Sequence, residues 1–172
     1  MANNLIIYYS RTGENYAPGG TVVLEKGNTE RCAEYIQKAV GGELFQIETV
    51  KDYPEDYMKC TEVAKSEQKR KERPELKNYL ESIEDYDNVF VCSPCWWGTC
   101  PMAMFTQLEK LDWKGKSVFP LMTHEGSGLG SVEKDLKKAC KGASIGKGLA
   151  VRGSDAPAAE ANVAAWAIRS IG

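Results

Sequence analysis

Three stretches of the chain carry residues whose types and spacing can do chemistry. The first, Ser10-Arg11-Thr12-Gly13-Glu14-Asn15-Tyr16, is resumed after an interruption by Gly27-Asn28-Thr29-Glu30. Small hydroxyl and amide side chains, with free backbone N–H groups at a helix start, are what a phosphate monoester requires. The same residues can serve as a plain Asn or Thr helix cap without any ligand. The second stretch, Ser93-Pro94-Cys95-Trp96-Trp97-Gly98-Thr99-Cys100-Pro101, places two adjacent tryptophans in a loop bounded by Pro and Gly. Neighbouring residues rarely face the same way, so one can pack inward while the other offers its face to a planar ligand. The third, Thr123-His124-Glu125-Gly126-Ser127-Gly128-Leu129-Gly130-Ser131, has glycines that let backbone N–H groups approach a polar ring edge closely.

Other chemistries fit these residues less well. Cys92-x-x-Cys95 followed by Cys100 has the spacing of a redox or metal motif, but Cys92 falls on an apolar strand and the lone His124 lies in a different loop. Ser10, Ser127 and Glu125 do not make a hydrolase triad, because no residue sits on a nucleophile elbow. No GxGxxG follows the first strand, and Gly142 to Lys147 is one residue short of a P-loop and lacks the Ser or Thr after the lysine. A phosphoacceptor aspartate is missing at the end of the third strand, which reads Cys92-Ser93.

The elements that must position these loops alternate. Leu5 to Tyr9 is a continuous apolar run that reads as a strand buried on both faces, and Asn28 opens a helix with apolar residues at Cys32, Tyr35, Ile36, Ala39 and Val40, closed by Gly41-Gly42. A second strand spans Glu43 to Val50. A charged helix follows from about Met58 to Arg73, and after Pro74 a shorter one through Leu76, Tyr79, Leu80 and Ile83. Val89 to Cys92 is a third strand, Met102 to Leu111 a helix, Ser117 to Met122 a fourth strand and Val132 to Cys140 a helix. Gly148 to Val151 makes a short fifth strand, and Pro157 to Ile171 a closing helix. Ala17 to Gly27, with Pro18, Gly19, Gly20 and Gly27 around Thr21 to Leu24, reads as a small hairpin inserted in the first loop. Five strands alternating with helices imply an α/β, doubly wound parallel sheet in one domain over residues 1–172. In such a sheet the ligand lies beyond the carboxyl ends of the strands, where the three chemical loops converge.

Composition narrows the partners. With 42% hydrophobic and 27% charged residues the chain is an ordinary globular one, and no apolar run is long enough for a membrane span. Met1 to Asn4 carries no basic region and Leu5 to Tyr9 is too short for a signal peptide, so a cytoplasmic location with six reduced cysteines is expected. A net charge of −2 does not supply the basic footprint of a nucleic-acid binder.

The chain resembles the flavodoxin family over essentially its whole length, and within it the shorter bacterial members, here with an inserted first loop. Ser10-x-Thr12-Gly13-x-Asn15 is similar to the family's phosphate loop, Pro94 to Gly98 to its first isoalloxazine loop, and Thr123 to Gly128 to its second. The resemblance implies a five-stranded flavodoxin-like sheet in the order 2-1-3-4-5 and one non-covalent FMN. It implies a phosphate site shared by Ser10, Asn15, Tyr16, Asn28 and Thr29, and ring contacts from Pro94, Trp96, Trp97, Gly98, His124, Glu125, Gly126, Ser127 and Gly128. The fourth loop has no aromatic residue, so one-sided stacking from Trp96 or Trp97 is expected. Electron transfer with redox partner proteins, a reductase and an acceptor, is the implied activity. An NAD(P)H-dependent FMN or quinone reductase on the same fold is the alternative.

Overall fold

The computed structural model describes residues 3–172; Met1 and Ala2, part of the N-terminal stretch read above for an export signal, lie outside the described residues. Strand β1 (Asn4–Tyr8) is buried along its whole length, as a run apolar at successive positions must be when both sheet faces are covered. Leu5 and Ile7 enter one core and Ile6 and Tyr8 the other, because successive strand side chains alternate.

The chain then leaves the sheet. Strands β2 (Gly13–Ala17) and β3 (Gly20–Leu24) form an antiparallel hairpin joined by Pro18-Gly19, with Gly19 at φ 86°. Proline presets the first turn position and glycine tolerates the left-handed second one. The insertion begins at Gly13, earlier than the Ala17 expected from sequence, because Glu14, Asn15 and Tyr16 pair with Val23, Val22 and Thr21. Asn15 and Tyr16 are therefore strand residues and not loop residues.

Helix α1 (Asn28–Val40) leads to β4 (Glu43–Gln46), α2 (Tyr57–Arg70), β5 (Asn88–Pro94), α3 (Met102–Leu108) and β6 (Ser117–His124). Helix α4 (Val132–Ala139), β7 (Ser144–Ile145), β8 (Leu149–Arg152), a 3-10 helix (Gly153–Ala158) and α5 (Glu160–Ile171) complete the chain. The sheet is parallel, in the order β4-β1-β5-β6-β7, with β8 also paired to β6. This is the expected order 2-1-3-4-5, its fifth place shared by two short strands. Helices α1 and α5 cover one face through Cys32, Ala33, Ile36, Val163, Trp166 and Ala167. Helices α3 and α4 cover the other through Ala103, Met104, Leu108, Val132 and Leu136.

Three local expectations are corrected. The second strand stops at Gln46, and Thr49 makes only an isolated bridge to Leu76. No helix forms over residues 76–83. Leu76 and Ile83 are buried, and the amide of Gln107 serves Leu80 twice, accepting from its N–H (2.7 Å) and donating to its carbonyl (3.2 Å). A core glutamine thus replaces the helical partners, so the apolar spacing here marks burial of an extended segment. The closing helix starts at Glu160, with Pro157 inside the preceding 3-10 turn.

Candidate functional site

The carboxyl ends of β1, β5 and β6 open into a crevice made of two adjoining cavities, about 80 Å³ and about 360 Å³, which share Arg11, Tyr16, Tyr57, Cys95 and Trp96 as walls.

The narrower end lies at the start of α1. Gly27 is the N-cap and has no side chain to cap with, so Ser10, two residues beyond β1, does it from across the loop: its Oγ accepts from Glu30 N at 3.0 Å. A Cβ on Gly27 would stand 2.1 Å from Ser10 Oγ and 2.7 Å from the Arg11 carbonyl, so only glycine lets the first loop close on the helix. Arg31 N already bonds the Gly27 carbonyl (3.2 Å). The first-turn donors left for a ligand are the N–H groups of Asn28 and Thr29, at the positive end of the helix dipole. Thr29's side chain points elsewhere; it is 2% exposed and its hydroxyl shares a 2.8 Å hydrogen bond with Thr123 Oγ1, fastening α1 to β6. Asn15, expected on the phosphate, spends its amide N–H groups on the carbonyls of Arg11 (2.9 Å) and Gly13 (3.2 Å).

The loop after β6 supplies His124 and Glu125 to the same cavity. His124 Nδ1 accepts from Gly126 N (2.9 Å), and burial, aided by Arg152, holds the imidazole pKa below its ordinary value. Glu125 Oε1 accepts from Ser154 N (2.8 Å), whereas its Oε2 is buried without a hydrogen-bond donor among the described residues, its nearest cation being Arg152 Nη1 at 3.7 Å. A buried acceptor left open in a cavity wall suits a hydroxyl-bearing ligand.

The wider end is built on the tight turn after β5. Trp96 and Thr99 pair across Trp97-Gly98, whose φ values are 55° and 87°. Two consecutive positive φ values define a type I′ turn, a conformation unfavourable for a bulky side chain by about 1–2 kcal/mol. It is held in place: Trp97 Nε1 donates to Thr61 O (2.9 Å), and Gln68 Nε2 donates to Trp97 O (3.0 Å). The turn splits the two tryptophans. Trp96 packs inward, edge-on to Tyr9 (5.1 Å) and Tyr53 (5.0 Å), while Trp97 is 50% exposed at the crevice rim with Lys65 Nζ 4.9 Å from its ring centre. Gly98 O accepts from Ser131 N (2.7 Å), and a Cβ on Gly130 would strike it at 2.1 Å, so the two loops abut. Ser127 lines this end, and burial raises the Cys95 thiol pKa against the opposing influence of the Gly98 backbone and the Ser127 hydroxyl. Gly126 and Gly128 shape the loop without lining the crevice.

The roof comes from the hairpin, whose Tyr16 the sequence assigned to the phosphate site, and from α2, whose Tyr57 it did not mark. Tyr16 of the hairpin lies against Tyr57 of α2, ring centres 6.0 Å apart. Arg11 clamps the hairpin to α2, with Nε on Glu14 O (2.8 Å) and Nη2 on Pro54 O (3.0 Å) and Glu55 O (2.8 Å), while Glu14 Oε1 accepts from Tyr57 N (2.9 Å). The crevice therefore has aromatic side chains on two sides, and the one-sided arrangement expected from the fourth loop overlooked Tyr16 as a wall and Tyr57 altogether. Arg11, Tyr57, Thr123 and Gly153 also line the crevice and were not picked out. Arg11 carried a signal, as the one cation in the segment 10–16; Tyr57 sits in a charged helix that read as a mere crossover.

The cysteines are free, and burial pushes the Cys100 thiol up to about 12 and Cys92 higher than ordinary. No cluster of three or more potential metal-ligating side chains occurs among the described residues, and no helix among them is long and apolar enough to cross a membrane.

The family model described as flavodoxin matches residues 22–169. Among solved structures, a candidate flavoprotein of Bacteroides uniformis is 29% identical, with a TM-score of 0.74 and 96% of this chain and 97% of that one covered. A second, from Bacteroides eggerthii, is 28% identical with a TM-score of 0.76, covering 100% and 99%. A flavoprotein from Lactobacillus acidophilus, solved in complex with FMN, shares the fold at 18% identity with a TM-score of 0.65, covering 92% and 98%. No curated protein sequence matches the chain.

Proposed function

From the premise that this chain belongs to the flavodoxin family, we propose that it binds FMN non-covalently in the crevice and exchanges electrons with redox partner proteins, a reductase and an acceptor. The observation that carries the reading is the meeting, in one crevice, of open N–H donors at the start of α1, the undonated Glu125 Oε2 and the exposed Trp97 face. These match an anionic phosphate, a polyhydroxyl chain and a planar ring. Bound FMN would supply one- and two-electron chemistry that no side chain here can. The chain's own residues bind and orient: Asn28 and Thr29 N–H toward the phosphate, Glu125 toward a ribityl hydroxyl, Trp97 and Cys95 toward the ring. Tyr16 and Tyr57 exclude water from above.

A second reading, an NAD(P)H-dependent reductase, draws on Arg11, the only Arg or Lys among the crevice walls, which has Nη1 to spare for an anionic co-substrate. Against it, the loops 93–100 and 123–131 contain no Arg or Lys to hold a dinucleotide. Anaerobic mixing of the FMN-loaded protein with excess NADPH separates the two. The carrier keeps its yellow colour until a flavodoxin reductase is added; prompt bleaching by NADPH alone identifies the reductase.

A further inference from the structure

A cavity of about 610 Å³, larger than either part of the crevice, lies on the opposite side of α2, between that helix and the segments 50–54 and 72–75. On its wall is Glu67, only 9% exposed. Tyr53 Oη donates to Glu67 Oε1 at 2.7 Å. Its second oxygen has no donor, and no Lys or Arg stands within 4 Å of the carboxylate, among the described residues. The other charges of the wall do not neutralise it, for Arg70 is already paired with Glu72, and Asp52 and Glu75 outweigh Lys51. Burial pushes the Glu67 carboxyl above its usual range, against the opposing influence of Tyr53, Arg70 and Lys51.

A carboxylate largely shielded by protein, holding one neutral donor and no cation, gains from a partner that brings positive charge into hydrogen-bond contact with its open oxygen, which faces the cavity rather than the protein interior. The surrounding wall fixes the rest of that partner: Val50, Pro54, Val63 and Pro74 offer an apolar lining beside the acid. We infer that this cavity is a binding site for a small organic ammonium ion, with its charged head on Glu67 and its hydrocarbon part against Val50, Pro54, Val63 and Pro74. Anions are repelled by the surplus of carboxylates, and a neutral molecule of the same shape can donate a hydrogen bond to Glu67 but leaves its charge uncompensated.

The site is independent of any flavin but connected to its crevice. The Tyr53 ring that holds Glu67 packs edge-on to Trp96 at 5.0 Å, and Trp96 walls both parts of the crevice. An ammonium ion drawing on Glu67 loosens the Tyr53 bond and alters the surroundings of Trp96, so occupancy registers in tryptophan emission as well as in heat.

Calorimetric titration of the full chain with phenethylammonium chloride, and separately with phenethyl alcohol, tests this. One saturable site is expected, with the alcohol binding at least about tenfold more weakly, a difference of about 1.4 kcal/mol. Glu67→Gln should weaken the ammonium ion by a similar factor. Val63→Lys, at a position 38% exposed on the helix, installs an ammonium beside the acid and should abolish binding while the protein melts as before. Equal affinity for amine and alcohol, no saturable binding, or full binding in both folded variants would overturn the site.

Discussion

The two ends of the crevice are built in different ways. At the α1 end the donors are backbone groups, and the side chains around them are committed to holding the loop: Ser10 caps Glu30 N, Asn15 ties the turn, and Thr29 bonds Thr123. At the Trp97 end the ligand-facing surface is made largely of side chains, supplied by four segments far apart in sequence and braced by a strained turn. A backbone site tolerates changes of side-chain chemistry but not of shape. A side-chain site should behave in the opposite way.

Substitutions sharpen that contrast. Trp96→Ala should have the largest effect on stability, about 3 kcal/mol, because it empties a cluster shared with Tyr9 and Tyr53; chemical denaturation reads it. Gly27→Ala comes next. Its Cβ collides with Ser10 Oγ and the Arg11 carbonyl, so about 1–3 kcal/mol of stability should be lost together with most of the FMN affinity. Trp97→Ala should leave folding nearly intact while weakening FMN by about 1 kcal/mol, several-fold, with recovery of flavin fluorescence on the bound cofactor.

Much of this was legible in the sequence, for identifiable reasons. Continuous apolar runs such as Leu5 to Tyr9 announce buried parallel strands, and a loop meeting Gly27-Asn28-Thr29 announces a helix start with open backbone donors, since both depend on local pattern. The split between Trp96 and Trp97 followed from their adjacency. What stayed hidden depends on tertiary contact. Tyr57 becomes a roof only because Arg11 and Glu14 clamp the hairpin to α2, and the segment 76–83 is extended only because Gln107 reaches it. The side chain of Thr29, a residue placed in the phosphate site at the helix start, fastens α1 to β6, a contact that no local pattern reveals.

Two smaller effects probe the same division. Thr29→Val should cost about 1 kcal/mol by leaving Thr123 Oγ1 unpaired, yet change FMN affinity little, because the N–H of residue 29 remains; a marked loss of affinity would return the hydroxyl to the phosphate. His124 should give the smallest signal. Its pKa in the folded protein is lowered from 6.5, so the unfolded chain takes up the proton more readily. Stability from this group is complete above the unfolded value and declines as pH falls below it. Melting temperatures of His124→Asn and the parent should therefore run parallel above that value, with the parent falling faster below it.

The most direct test of the account is a parallel titration of the cofactor-free protein with FMN and with riboflavin, which differ only in the phosphate. Charge-assisted bonds from the α1 N–H groups should make FMN at least about 100-fold the tighter ligand, close to 2.7 kcal/mol. Equal affinities, or a protein that stays colourless and unshifted in melting temperature with either flavin, would contradict it.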